Sequence, residues 1–277
     1  MGFLCYLMNF VPIIKKCLGV KGTRLVRSIS FSNQLQINKK GRKFTVNSKK
    51  EYPFWMLVKS GLWESDTYTI LDKFLNNQHS YLDIGAWIGP TVLYGSQIAK
   101  HCYAVEPDHI AFQELTKNVK LNKNIQSRIT LANFAISDLS GTIRLYQSDE
   151  DWGNSTSSIL SNEGKSSREV ESKTFQQFIE DYSITDCNFI KMDIEGGEFI
   201  VLPTMFNYLK MNKPTLLVEI HPMFVSDPIQ KFENIRHVLN IYDHMYNEKF
   251  KEINIESILF LLKNKPDKTL QILLTNL

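Results

Sequence analysis

From residue 80 onward, short apolar runs alternate with longer stretches whose apolar residues recur at helical spacing. The runs are Tyr81-Leu82-Asp83-Ile84, Cys102-Tyr103-Ala104-Val105, Ile129-Thr130-Leu131, Phe189-Ile190-Lys191-Met192 and Thr215-Leu216-Leu217-Val218. Between them lie the helical stretches 90–100, 109–122, 174–182 and 198–210. Pro203 falls inside the last and predicts a kink or a restart. The alternation predicts an α/β fold, a mostly parallel sheet with helices on both faces.

The flanking segments are less regular. Leu35 and Ile37, a Lys-Lys-Gly-Arg turn, and Phe44 and Val46 predict a hairpin over 34–46. Ser65 or Asp66 is expected to cap a short helix with Tyr68, Leu71, Phe74 and Leu75 on one face. Ile143-Arg144-Leu145-Tyr146 reads as an additional strand near the third run, and 149–168 as a loop. Phe232, Ile235, Val238 and Leu239 make a helical face, and the runs 258–262 and 271–274 are expected to form a closing antiparallel pair. We divide the chain into a basic N-terminal extension, 1–50, and a domain, 51–277.

Composition supports a buried core: 277 residues, 43% hydrophobic, exclude wholesale disorder. Cysteines 5, 17, 102 and 187 form no CxxC pair, so free thiols in a reducing compartment are expected. Charge is unevenly spread. Residues 1–50 carry eleven Lys or Arg and no acid, whereas the remainder carries 21 basic against 29 acidic side chains. A basic arm suits an anionic surface: nucleic acid, anionic lipid or an acidic substrate. Met1 to Ile14 is apolar and closed by Lys15-Lys16, which is shorter than the ~20 residues that span a bilayer. No positive side chain precedes the run, as a signal peptide requires, and Tyr6 breaks the myristoylation pattern that begins at Gly2. A docked or interfacial helix is expected, on a cytoplasmic protein that is peripheral to a membrane at most.

In open parallel sheets, ligands bind beyond the carboxyl ends of the strands. The first core strand ends Asp83-Ile84-Gly85-Ala86-Trp87-Ile88-Gly89, followed by Pro90, which suits the first helical position. Gly85 and Gly89 allow close backbone approach, and Asp83 suits a cationic group such as an amino-acid ammonium. The second strand ends Val105-Glu106-Pro107-Asp108, and Glu106 lies 21 residues after Gly85. An acid there accepts hydrogen bonds from two ribose hydroxyls. Asp83 and Glu106 on consecutive strands, with two glycines between, point to a nucleoside. The glycine pattern is not the GxGxxG of pyrophosphate binding, which disfavours a nicotinamide dehydrogenase.

Asp83–Gly89, Glu106-Pro107-Asp108, Asn133 to Asp138, Lys191 to Glu198, and Val218-Glu219-Ile220-His221-Pro222 together resemble the FkbM-type methyltransferases. Gly61-Leu62-Trp63-Glu64 and Gly153-Asn154-Ser155 are also similar, and the resemblance covers residues 58–222. It implies a Rossmann-like class I methyltransferase fold with a seven-stranded, mostly parallel sheet, and S-adenosylmethionine as cofactor. The family commonly has Asn where this chain has Trp87, and a polar or aromatic residue in place of Pro90. The resemblance places the methionine moiety by Asp83, Gly85 and Gly89, the ribose at Glu106, and adenine near Phe134-Ala135-Ile136. The methyl would then face Asp193 and Glu219-Ile220-His221.

Candidates to take the acceptor's proton are His221, Asp193 and Glu195. His221 has the best intrinsic pKa, about 6.5. Asp193, Glu195, Glu219 and His221 could also gather around Mg²⁺ or Ca²⁺. Spacing does not establish convergence, and no metal is assigned. Asn154-Ser155-Thr156 matches a glycosylation sequon but, without an export signal, is read as loop polarity or substrate contact. The expected function is O-methylation of a hydroxyl on a glycan, glycoconjugate or small metabolite. The alternatives are ribose methylation of RNA through the basic arm, or a non-catalytic nucleoside-binding module. No Asn/Asp-Pro-Pro-Tyr follows the fourth strand, which argues against methylation of a base amine.

Overall fold

A computed structural model describes residues 33–147, 153, 155, 157–160 and 166–277. The apolar segment and most of the basic arm therefore lie outside the described residues, as do Asn154 and Thr156 of the sequon. Strands β1 (Gln34–Lys39) and β2 (Arg42–Asn47) form the expected hairpin. In the core, β3 (Ser80–Ile84), β4 (His101–Val105) and β5 (Ile129–Ala132) run parallel. A second sheet holds β6 (Ala135–Ser137), β7 (Gly141–Gln147), β8 (Ser157–Ser158) and β9 (Ser166–Thr174). The chain returns to the core with β10 (Cys187–Met192) and β11 (Thr215–Ile220), both parallel to β3. It closes with β12 (His244–Asn247) and β13 (Leu270–Thr275), where β13 is antiparallel to both β11 and β12. The seven-stranded order is β12-β13-β11-β10-β3-β4-β5, the mostly parallel sheet that was expected.

Every residue of β3 and of β11 is buried, because helices cover both faces. Alternate side chains divide between two clusters. Leu82, Ile190, Leu216 and Val218 pack under helices carrying Phe199, Leu202, Phe232, Ile235 and Ile258. Tyr81, Phe189, Leu217 and Leu273 pack under Trp55, Tyr68, Leu71, Leu93 and Leu115. The second cluster also contains Ile37, Phe44 and Val46 of the hairpin. Asn118 and Asn122 side chains accept from the amides of Asn47 and Thr45. The hairpin, placed with the extension by its sequence, is thus packed against the domain, and a cut at residue 50 would remove part of the core.

Several local expectations are corrected. Residues 255–264, including the run 258–262, form a helix capped by Asn254, whose side chain accepts from the Ser257 amide, so only 270–275 is a strand. β7 joins the second sheet, paired with β8 and β9, rather than the third core strand. Within 149–168, Ser157–Ser158 and the start of β9 are strand. The helix Ser65–Phe74 is preceded by Glu64 at φ 38°, with no side-chain cap. The stretch 198–210 divides at Met205, just past Pro203, into helices Glu198–Thr204 and Phe206–Asn212. Cys102 and Cys187 are free and buried, as expected. No helix among the described residues is long and apolar enough to cross a membrane.

Candidate active site

The loop after β3 is shaped by close backbone packing. Gly85 has φ 87°, and a Cβ there would stand 1.8 Å from the carbonyl oxygen of Asp193 at the end of β10. Gly89 has φ 92°, and a Cβ would meet Leu115 Cδ1 at 2.6 Å. Both glycines are needed by the fold. Trp87 between them has φ 47°, a left-handed conformation that Asn adopts more readily than a bulky side chain. That explains why Asn suits this position in the resembling family. Here the indole compensates: its Nε1 donates to the Gly153 carbonyl at 2.8 Å, and its ring packs edge-on against Phe54.

Glu106, at the end of β4, is held by that loop. Its carboxylate accepts from the Trp87 and Asp108 amides, each at 2.8 Å. Burial, opposed by these two donors, pushes its pKa up to about 8. Glu106, Gly85 and Trp87 line a cavity of about 1040 Å³ together with Phe134, Ala135 and Ile136. This is the end where the sequence expects ribose and adenine.

Asp83 and Gly89 are not among the residues that line the cavity. Asp83 is completely buried on the β3 face shared with Tyr81. Its Oδ2 accepts from the Tyr81 and Thr91 hydroxyls, each at 2.6 Å, while Oδ1 is shielded and has no partner. It therefore sits beneath the loop, a correction to the expected contact with an ammonium group. In register it pairs with Lys191 on β10.

Glu64, Lys191, Asp193, Glu195, Glu219 and His221 line the same cavity, as do the rings of Phe54 and Trp63. Lys191 is 3% exposed, and its Nζ donates to Asp193 Oδ2 at 2.9 Å. Burial opposes its charge, but Asp193, Asp83, Glu219 and Glu64 hold its pKa well above the ordinary lysine value. In turn, Lys191 outweighs burial at Asp193 and keeps that carboxyl below its usual range. At Glu64 and Glu219, burial and neighbouring carboxylates win and the pKa values rise. Glu195, at φ 52°, is pushed by burial up to about 8.

His221 stands at the centre. Its Nδ1 lies 3.1 Å from Glu198 Oε1, and its Nε2 lies 3.7 Å from both Asp193 Oδ1 and Glu195 Oε2. Burial lowers its pKa, but Glu198, Glu195 and Asp193 together raise it well above 6.5. Glu198 was not foreseen. It is fully buried and accepts from the Ile194 and Gly196 amides, each at 2.9 Å, so one carboxylate ties the turn after β10 to the histidine after β11. The Glu-Gly-Gly-Glu spacing was a visible signal for it. Lys191, a lone charge inside an apolar run, was another. The structure thus brings Asp193, Glu195 and His221 together, and leaves Ala135 and Glu106 at the opposite end of the same cavity.

The methyltransferase FkbM domain matches residues 83–248, more than half of the chain. No curated protein matches. Among solved structures, the chain is similar to methyltransferase FkbM from Methylobacillus flagellatus KT, at 18% identity and TM-score 0.46, over 72% of this chain. The similarity spans 44% of the length of that protein. It is also similar to a methyltransferase from Streptococcus mutans in complex with SAH, at 11% identity and TM-score 0.43, over 76% of this chain and 96% of that one. The chain belongs to the FkbM methyltransferase family.

Proposed function

We propose that the protein transfers a methyl group from S-adenosylmethionine to a hydroxyl of a glycan, glycoconjugate or small polyhydroxylated metabolite. One observation carries this reading: a single cavity has a nucleoside-suited end, at Glu106 and Phe134-Ala135-Ile136, and an end combining aromatic rings with carboxylates and a histidine. At about 1040 Å³ the cavity lies at the upper end of the range for small-ligand sites, which supports room for an acceptor beside the cofactor.

The residues fit the cofactor. Glu106 supplies a carboxylate for ribose hydroxyls, and the apolar side chains of Phe134 and Ile136 suit an adenine face. The excess of acids around Lys191 and His221 favours a cationic centre between the two ends. S-adenosylmethionine supplies an electrophilic methyl on a positive sulfur. The protein's task is to hold an acceptor oxygen in line with it, an orientation worth roughly 7–11 kcal/mol. Phe54, Trp63 and Trp87 offer ring faces and edges to a sugar. Asp193, kept ionised by Lys191, would accept the hydrogen bond of the reacting hydroxyl and take its proton as the oxygen–carbon bond forms and the carbon–sulfur bond breaks.

The test is tritiated methyl transfer from S-adenosylmethionine into fractionated cell extract, beside calorimetry of cofactor binding. Label in glycan or small polyhydroxylated metabolites supports the reading. Label in RNA instead would replace the acceptor, and cofactor binding without label in any fraction would point to a non-catalytic nucleoside-binding module.

A further inference from the structure

The acidic end contains a set of donors that a single cation would satisfy. Asp193, Glu219 and His221 each offer one ligand atom, and these atoms lie within 4.8 Å of one another. Donors around a divalent ion bonded at ~2.0–2.6 Å are separated by up to about twice that length. The three residues come from the ends of two neighbouring strands, β10 and β11, so the sheet itself sets their spacing.

Each donor keeps an atom that the protein's own hydrogen bonds leave over. Lys191 occupies Asp193 Oδ2, which leaves Oδ1. Gln271 donates to Glu219 Oε1 at 2.8 Å, which leaves the second oxygen. His221 is only 6% exposed, yet its Nε2 is 3.7 Å from Asp193 Oδ1 and from Glu195 Oε2, beyond hydrogen-bond distance. Its other nitrogen is held by fully buried Glu198 at 3.1 Å. A carboxylate that takes Nδ1–H leaves Nε2 as the nitrogen for a cation, which would displace the Nε2 proton on binding, the usual arrangement behind a metal-bound histidine.

Charge balance points the same way. Glu64, Asp193, Glu195 and Glu219 line the cavity with four lysines, of which only Lys191 is buried; Lys50, Lys265 and Lys268 are exposed. Glu64 has a shielded Oε2 without a partner. Carboxylates withdrawn from water are costly unless paired with a cation.

From this convergence we propose that Asp193, Glu219 and His221 bind one divalent cation. Two carboxylates and an imidazole suit Mn²⁺, which accepts both donor types, better than the all-oxygen sites typical of Ca²⁺. The inference rests on the methyl-transfer reading for its role only. A cation here lies at the acceptor end, where it orients the hydroxyl and makes its proton easier to lose.

The full chain, dialysed against EDTA, is titrated with Mn²⁺ in the absence of S-adenosylmethionine, and free Mn²⁺ is followed by electron paramagnetic resonance. The expected result is one saturable site, weakened at least ~10-fold in both Glu219→Gln and His221→Ala, and ~10–100-fold in Glu198→Gln. Thermal melts and cofactor calorimetry on the same variants establish that they are folded. No saturable binding up to millimolar Mn²⁺, or equal affinity in the folded variants, overturns the site. Full turnover in EDTA-dialysed protein that still binds Mn²⁺ keeps the site and overturns its catalytic role. Intact Mn²⁺ binding with no methyl transfer to any acceptor supports the site and counts against the methyl-transfer reading alone.

Discussion

At the nucleoside end of the cavity the shape comes from backbone; at the acidic end it comes from side chains. Glu106 takes two loop amides, and the loop is packed so tightly that Gly85 admits no Cβ. At the acidic end, four carboxylates and a histidine crowd around Lys191, and their charges set one another's protonation. A backbone-built site is rigid and fails when its geometry is disturbed. A side-chain cluster tolerates substitution structurally and fails chemically. The two ends should therefore respond to mutation in different currencies, stability and cofactor affinity at one, turnover at the other.

The largest effect expected is on turnover. His221→Ala should lower kcat by ~10²–10⁴ while leaving S-adenosylmethionine affinity within a few-fold, because Nε2 stands beside Asp193 and Glu195, 3.7 Å from each, and has no contact with Glu106. Glu198 keeps its two amide donors in that variant, so the turn after β10 should survive. Steady-state kinetics with the labelled acceptor, together with calorimetry, checks both halves. A matched loss of affinity and rate would mean that the two ends are not separable.

Gly85→Ala is expected to act in the opposite way. The added methyl would have to occupy space 1.8 Å from the Asp193 carbonyl, at a φ of 87°. Overpacking and strain together should cost ~2–5 kcal/mol of stability. Thermal denaturation reads this directly, and an unchanged melting temperature would show that the strand ends can separate freely.

That contrast also describes what the sequence reveals. Gly85 and Glu106 are legible because backbone constraints leave marks at fixed spacing along the chain, whereas Gly89 is legible only as a turn, packed on Leu115 away from the cavity. The acidic end is only partly legible: Asp193, Glu195 and His221 are visible as candidates, but their convergence depends on the register of β10 and β11. Asp83 misleads for the same reason, since period-two alternation puts it on the Tyr81 face, where two hydroxyls hold it beneath the loop. The second sheet is hidden because β9, Ser-Ser-Arg-Glu-Val-Glu-Ser-Lys-Thr, buries only Ser172 and carries no apolar alternation. Residues 258–262 mislead because a short apolar run fits strand or helix equally, and only the Asn254 cap distinguishes them.

A smaller effect belongs to Glu106. Glu106→Ala should weaken S-adenosylmethionine binding by roughly 1.5–3 kcal/mol, the size of hydrogen bonds to a charged group. Its carboxyl titrates at about 8 without ligand, so it is largely protonated at pH 6.5 and ionised at pH 9. Ribose hydroxyls are better held by the ionised form. Binding then releases a proton, and the dissociation constant should fall as pH rises toward about 8, by at most tenfold per unit, and level off above it. Calorimetry across that range in wild type and Glu106→Gln tests the sign, because the dependence should vanish in the variant. Tighter binding at low pH would remove Glu106 from the ribose site.

The smallest expected effect tests whether both ends are complete without the basic arm. Every residue assigned to either end lies beyond residue 50, and the hairpin that packs into the core begins at Gln34. Removing residues 1–30 should therefore leave the melting temperature, cofactor affinity and pH dependence unchanged. The cut removes Lys15, Lys16, Lys21, Arg24 and Arg27, five of the eleven positive charges in the first fifty residues. If those charges recruit an anionic surface, worth ~1 kcal/mol each near a membrane, the truncated protein should partition less onto phosphatidylserine vesicles, and salt should weaken the intact protein's binding. Equal, salt-independent partitioning of both forms would exclude that role. A truncated protein that binds S-adenosylmethionine more weakly would mean instead that the arm completes the cavity, and the division between the two ends would have to include a third contributor.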